Sequence, residues 1–502
     1  MSEPMPGRDL ASEAEKAAHA RAEADADIAL IDDGPAEEGD VAPFAEDRTL
    51  SEDFVEAVGE AVDAGDAAQA RALCEDLHPA DLAHLLGFLS EDQRTALIHL
   101  FGGELDAEVL AELDSDIRES VVLALSPGKV AEAVADLDTD DAAFILEDLD
   151  EDVRAEILAE MPVSDRIALT TALDYEEESA GRLMQREVFA APGYWTVGQI
   201  IDRMRGSDDL PDRFYEVFVV DPTNRPIGSV PLSTLLKTRR ETPIQDIMSG
   251  RELRLIPVGM DQEEVAYLFE RYNLISAPVI DESERLVGMI TVDDVVEIVH
   301  EETHEDMLAL GGVEAGSGLS DGVIETVRSR FSWLAINMGT ASLAALVISL
   351  FDGAIAQLVA LAVLMPIVAS IGGNAAIQTL TVAVRSIATK DLTAANAARI
   401  IWREAIVGGV NGVLLAVLVG TLACVWYFFR SGDIGESVGL AMVLGAAMTI
   451  NLLAAGLAGI LIPLGLQRAG ADPAVASAVF VTTVTDVVGF FVFLGLAALV
   501  LL

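Results

Sequence analysis

The stretch AVASAVFVTTVTDVVGFFVFLGLAALVL (474–501) carries one charged side chain along its whole length, Asp486. An apolar run this long crosses about 30 Å of hydrocarbon as a single helix. A carboxylate inside such a run is costly, and it normally faces a water-filled path or a partner group. On a helix Ala478, Thr482 and Asp486 share one face at i, i+4 and i+8. Small and hydroxylated residues beside a carboxylate suit the wall of a narrow wet pore. The competing reading is a structural carboxylate hydrogen-bonded to a neighbouring span.

Working outward, four more apolar segments precede it, at 331–351, 355–384, 403–429 and 437–466, so that 331–502 reads as a five-helix transmembrane domain. Arg328 and Arg330 lie before the first span, and Arg385, Lys390, Arg399 and Arg403 between the second and third. Positive loops stay cytosolic. The expected orientation therefore has the N-terminus inside and the C-terminus outside, in a multi-pass protein of the cytoplasmic (inner) membrane with lipid around its spans. GlyGlyAsn (372–374) is expected to interrupt the second span after Pro366. Glycine lets a helix or an ion approach the backbone, and Asn374 offers an oxygen ligand. The alternative for Asn374, and the reading preferred for Asn337, Asn411 and Asn451, is an amide that hydrogen-bonds between helices.

Charge divides the chain sharply. Residues 331–502 have six basic and seven acidic side chains, so 51 of the 52 net negative charges fall on residues 1–330. So acidic a body excludes nucleic acid as a partner, because phosphate binding needs a basic face. Cys74 and Cys424 lie in different halves, and no disulfide framework is expected. The acidic, Ala-rich start lacks a basic region followed by an apolar run, so no cleavable signal peptide is expected. Residues 1–50 read as a disordered acidic tail.

Over 51–180 the chain reads as an α-helical solenoid. An apolar residue recurs every 12 positions at Leu77, Leu89, Phe101, Leu113, Leu125, Leu137, Leu149 and Met161, and turns such as SerProGlyLys (126–129) follow it. An irregular helical bundle is the alternative. Residues 185–243 and 244–303 form two β-β-α units in tandem. PheTyrGluValPheValValAsp (214–221) and SerAlaProValIleAsp (276–281) are their strand runs. This α/β pair resembles two CBS modules. GlyMetIleThrValAspAsp (288–294) is similar to the module's nucleotide signature and would put Thr291 and Asp294 at a ribose. The first module has no acid at that position, so ATP or another adenine nucleotide would use the second. A purely mechanical pair is the preferred alternative. A connecting, plug-type helix is expected over 304–330.

Asp294, Glu297, Glu301 and Glu305 fall at intervals of 3, 4 and 4 on one helical face, and Glu302 and Asp306 make a parallel row. Such a stripe is either simply solvated or an oxygen-only site for a hard divalent cation, with Asp138, Asp140 and Asp141 as facing acids. Carboxylates and carbonyls suit magnesium, calcium or manganese, whereas zinc and copper favour His and Cys. Few carboxylates in the spans suit magnesium, which is held through its hydration shell. No nucleophile–base pair, Walker loop or HExxH motif stands in the sequence, so an enzyme is not expected.

The order of parts, with GluGluGluSerAlaGlyArgLeuMet (176–184), ThrValAspAspVal (291–295), IleGlyGlyAsn (371–374) and AspProAlaValAlaSer (472–477), resembles the MgtE-type magnesium channel or transporter family. The resemblance implies a homodimer whose pore lies on the two-fold axis, with Asp486 of each chain on hydrated magnesium. It also implies regulatory magnesium on Asp294, Glu297, Glu302, Glu305, Asp306 and Asp472 that holds the pore shut. Asn273 stands where the family leads one to expect an acid. Two alternatives stay open: a carrier for manganese or cobalt, and a membrane-anchored nucleotide sensor.

Overall fold

The computed structural model describes residues 42–502 apart from 46–47, 102–104, 148, 207–209, 212, 250–252 and 314–322. Most of the expected acidic tail lies outside the described residues. Its last part is ordered by local bonds: Phe44 and Leu50 form an antiparallel bridge, and Leu50 is buried. The chain divides into two compact units, residues up to Val134 with Ala155–Glu160, and Ala135–Arg154 with Met161–Leu502.

The N-terminal part is helical: α1 (Glu52–Asp63), α2 (Ala67–Cys74), α3 (Pro79–Phe88), α4 (Glu91–Leu100), α5 (Ala107–Ala111), α6 (Ser115–Ala124), α7 (Pro127–Ala135), α8 (Thr139–Glu147), α9 (Glu151–Glu160) and α10 (Val163–Leu173). Helix starts at Pro79, Glu91, Ser115, Pro127, Thr139, Glu151 and Val163 keep the period of twelve, with one step omitted. The recurring apolar residue falls just after a helix, as at Leu89, Leu125 and Met161, where it is buried beneath the turn. The next residue caps the following helix, as Ser90 does through a reciprocal bond with Gln93.

A second periodic residue holds these turns. Arg94 is buried, and it donates to the carbonyls of Leu86 at 2.9 Å and Leu89 at 3.2 Å and to Ser120 Oγ at 2.9 Å. Arg118, only 1% exposed, donates to the Leu113 carbonyl at 3.2 Å. In both, the arginine lies five residues after the repeat leucine and bonds that leucine's own carbonyl. It thus satisfies oxygens that a helix end leaves orphaned.

The two β-β-α units appear as two three-stranded sheets of the same topology. In each, the first strand is parallel to the second and the third antiparallel to it: β1 (Ala190–Pro192), β2 (Glu216–Val220) and β3 (Pro226–Pro231), then β4 (Ile256–Pro257), β5 (Ser276–Ile280) and β6 (Leu286–Thr291). Both carry a register shift at the end of the middle strand, opposite Gly228 or Gly288. A Cβ on Gly288 would come within 2.5 Å of the Gln185 carbonyl, so glycine there permits the paired bonds between Gln185 and Met289, each 2.9 Å. Helices α11 (Ala180–Leu183), α12 (Val197–Gly206), α13 (Leu232–Lys237) and α14 (Gln262–Tyr272) complete the modules. Asn273 ends α14 with a positive φ, in the left-handed region. Asn tolerates that conformation better than an acid with a longer side chain.

The connecting helix differs from expectation. Residues 304–311 belong to α15 (Val292–Gly311), which starts at the edge of β6 and runs unbroken until Gly312 closes it in the left-handed region. No helix breaker stands between Thr291 and Gly311, so the module's last helix and the connector are one rod. Residues 323–330 belong instead to α16 (Val323–Ser349), the helix of the first span.

After the short α17 (Asp352–Gln357) come α18 (Ala360–Ala388), α19 (Ala397–Ser431), α20 (Ile434–Arg468) and α21 (Pro473–Val500). Among the described residues five helices are long and apolar enough to cross a membrane, which makes this a membrane protein. GlyGlyAsn does not interrupt the second span, because α18 is continuous through Pro366 and residues 372–374. One missing donor is tolerated within so long a helix. Gly372 serves packing instead, against Asn451. Asn451 of α20 donates to the Val368 carbonyl of α18 at 3.0 Å, in the interhelical role expected of it.

Candidate cation path and acidic clusters

Asp486 sits mid-helix in α21 and is half-buried in the single chain. Thr485 beside it is fully buried. Thr482 keeps its hydroxyl on its own helix, donating to the Ala478 carbonyl at 2.9 Å and the Val479 carbonyl at 3.1 Å. That leaves its methyl and both lone pairs of the hydroxyl oxygen for the surface. Asn374 lies on an exposed face of α18, as does Gln378 one turn on. At one end of the bundle Ala309 and Leu310, the end of α15, pack against a buried cluster of Ala376, Leu380, Val384, Ala455, Ala474 and Val481. The last turn of the rod thus packs against a cluster built from α18, α20 and α21.

The first acidic cluster joins the start of α8 to the start of α15. Asp138, Asp140 and Asp141 interact electrostatically with Asp293, Asp294 and Glu297. Helix N-termini favour acids, which explains their presence there. Crowding and burial then work against ionisation. Burial first, and the Asp294 charge second, hold Asp140 well above the usual carboxylate range. The same two causes push Asp141 up to about 7. Burial raises Asp294 to about 6, against the pull of Thr291, whose hydroxyl and N–H both donate to it, at 2.7 and 3.0 Å. That pair is a capping box for α15, so both residues of the expected nucleotide motif already have a local structural role. Two flanking groups went unnoticed in the sequence. Glu187 accepts from the N–H and hydroxyl of Thr139 at 3.2 and 2.7 Å, and Gln185 donates to Asp138 at 3.1 Å. Both follow the turn after α11, where no periodicity marks them.

The second cluster lies roughly two to three turns further along α15. Burial, partly offset by a 2.8 Å bond from Gln262, raises Glu302 to about 7. Burial also raises Glu263, Glu305 and Asp306, with repulsion from Asp261, Glu178 and Asp472 respectively as the next cause. Glu301 is exposed beside this group and repels Glu305. Asp472 caps α21 through a 2.7 Å bond from the Ala474 N–H, so the start of the last span belongs to the cluster. Lys390, between the second and third spans, donates to Glu264 of α14 at 3.1 Å and lies 4.5 Å from the Tyr267 ring centre.

The candidate residues therefore fall into two acid groups along one helix, outside the spans, and one membrane carboxylate. Asp140, Asp141, Asp294 and Glu297 share the first group. Glu302, Glu305, Asp306 and Asp472 share the second. Among the described residues no set of three or more His, Cys, Asp or Glu side chains stands in metal-holding geometry. Each group is an acidic field that a cation would have to gather.

Fold and site together define a multi-span membrane protein whose CBS pair and acidic helices sit against one end of its spans. Three family models cover these parts: a divalent cation transporter domain at 365–496, the MgtE intracellular N domain at 77–178, and CBS domains at 180–241 and 244–301. The chain is 30% identical to the magnesium transporter MgtE of Thermus thermophilus over 458 residues, 90% of this chain and 99% of that one. It is 32% identical to the magnesium transporter MgtE of Enterococcus faecalis over 331 residues, 65% of this chain and 70% of that one. A crystal structure of the cytosolic domain of the Mg2+ channel MgtE in complex with ATP matches at 29% identity and a TM-score of 0.44, covering 49% of this chain and 99% of that one. The chain belongs to the MgtE family of divalent-cation transporters.

Proposed function

We propose that this protein passes magnesium across the cytoplasmic membrane as a homodimer, with Asp486 of each chain on the path and the acidic clusters closing it when cytosolic magnesium is high. The observation that carries the reading is Asp486 itself, a half-buried carboxylate in the middle of an otherwise apolar span. Asn374 and Thr482 are the path's neutral oxygen donors. The exposed placement of Asn374 supports a path between two chains rather than inside one. The N-terminus is cytosolic: Lys390, Asp472 and the CBS pair meet at one end of the bundle, the end that the positive loops put inside.

The regulatory step follows from charge. Without divalent ions the clusters repel, and with magnesium on Asp140, Asp141, Asp294, Glu297, Glu301, Glu302, Glu305, Asp306 and Asp472 the compact form is favoured. That form holds Ala309 and Leu310 against the bundle. Manganese and cobalt compete for the same hard sites. Adenine nucleotide, by analogy with the ATP-bound relative, would bind the second module near Thr291 and Asp294. The protein is a transporter in this reading and has no catalytic residue.

The test is flux in proteoliposomes. Asp486→Ala should lose about 90% or more of magnesium uptake while the protein still elutes as the parent does, a loss of more than about 1.4 kcal/mol in barrier terms. Uptake that survives the substitution removes Asp486 from the path.

A further inference from the structure

Asn451 is fully buried where α18, α20 and α21 meet. Its Nδ2 donates to the Val368 carbonyl at 3.0 Å, while its Oδ1, equally buried, has no donor among the described residues. Two glycines make the space it fills. A Cβ on Gly489 of α21 would stand 2.8 Å from the Asn451 amide nitrogen, and one on Gly372 of α18 would overlap the same atom. Gly372 lies two residues before Asn374, and Gly489 three residues after Asp486.

One side chain thus touches both helix segments that carry the path residues. A side chain meant only to fill the space would be apolar, because burying an amide costs free energy unless both its ends are bonded. An amide meant only to join helices would use both ends. Asn451 does neither: one end fixes α18, and an acceptor remains over at the level of the path.

We propose that Asn451 is a positioning residue for permeation. Wedged between Gly372 and Gly489, it sets the spacing and rotation of α18 and α21, and its buried Oδ1 takes a hydrogen bond from a water enclosed between these helices. The inference rests on the reading of Asp486 as a path residue.

The experiment compares Asn451→Leu, Asn451→Ser, Asn451→Ala and Asp486→Ala with the parent in proteoliposomes. It measures magnesium uptake, the magnesium concentration at half-maximal uptake, and the thermal midpoint of the solubilised protein. Asn451→Leu fills the same space without polar atoms. It should leave the midpoint within a few degrees, lower uptake at least tenfold and raise the half-maximal concentration. Asn451→Ser, which keeps a donor and an acceptor, should retain several times the uptake of Asn451→Ala. A merely structural amide would lower the midpoint and yield and leave the half-maximal concentration of the folded fraction unchanged. Parent-like uptake and half-maximal concentration in Asn451→Leu overturn the proposal. If Asn451→Leu does not reconstitute, equal uptake by the Ser and Ala variants overturns it instead. Uptake that survives Asp486→Ala brings down the path reading as well. Loss there with parent-like Asn451→Leu defeats this inference alone.

Discussion

Magnesium binding to the acidic clusters should release protons, and the structure sets how many. A carboxylate must be ionised to hold a cation, so any proton it carries leaves on binding. Asp141 and Glu302 are raised to about 7 and Asp294 to about 6. At pH 7 the first two are each about half protonated and the third about one-tenth. Saturating magnesium should therefore release about one proton per chain at pH 7, about two at pH 6 and about a fifth of one at pH 8. Asp140, Glu263, Glu305 and Asp306 are raised in the same direction. By linkage the apparent magnesium affinity should weaken roughly tenfold per pH unit as the pH falls through 7. Calorimetric titration with magnesium in two buffers of different ionisation enthalpy reads the proton count directly. The double variant Asp141→Asn, Glu302→Gln should lose most of the release at pH 7 and keep the Asp294 part near pH 6. Release that is absent at pH 7, or equal at pH 6 and pH 8, would refute the idea that burial holds these carboxylates protonated until the cation arrives.

Three further outcomes are expected. Neutralising Glu302, Glu305 and Asp306 together should leave the channel conducting at magnesium levels that shut the parent, as read by uptake into magnesium-preloaded vesicles; closure at the parent's level would contradict the gating scheme. Without magnesium, carboxylates raised in the compact form favour that form below their ordinary pKa near 4, an advantage lost as the pH rises through about 7. Small-angle scattering of the part that precedes the spans should therefore show expansion between pH 5 and pH 8, and a radius that does not change with pH would count against it. Arg118→Ala should destabilise the N-terminal helices by roughly 3 kcal/mol, since it opens a cavity and strands a buried carbonyl. The stranded group is the Leu113 carbonyl, and hydrogen exchange over α6 measures the loss.

Much of this architecture is legible in the chain, for reasons that differ by part. The twelve-residue period is visible because each turn needs a buried apolar residue and a capping residue, and both are chemically distinct. The arginines at the five-residue offset escape the eye, since Arg94 and Arg118 resemble surface charges until the helix-end carbonyls they bond are in place. The spans and Asp486 stand out by hydropathy alone. The meaning of GlyGlyAsn does not, because whether a glycine breaks a helix or receives a neighbour depends on what faces it, here Asn451. The acids on α15 can be spaced from the sequence. Their division into two groups needs the positions of α8, α14 and Asp472, which no local pattern encodes.

The unbroken course of α15 has one more consequence. Asp294 lies in its first turn, Glu302 to Asp306 follow further along, and Ala309 and Leu310 form its far tip against the spans. The α15 acids of one group cannot move without those of the other, because no joint lies between them. In the proposed regulation, two sensors on one shaft do not vote separately. Binding at the near group must prepare the far one, so closure should be steep in magnesium concentration, and damage to either group should flatten the whole response rather than remove half of it.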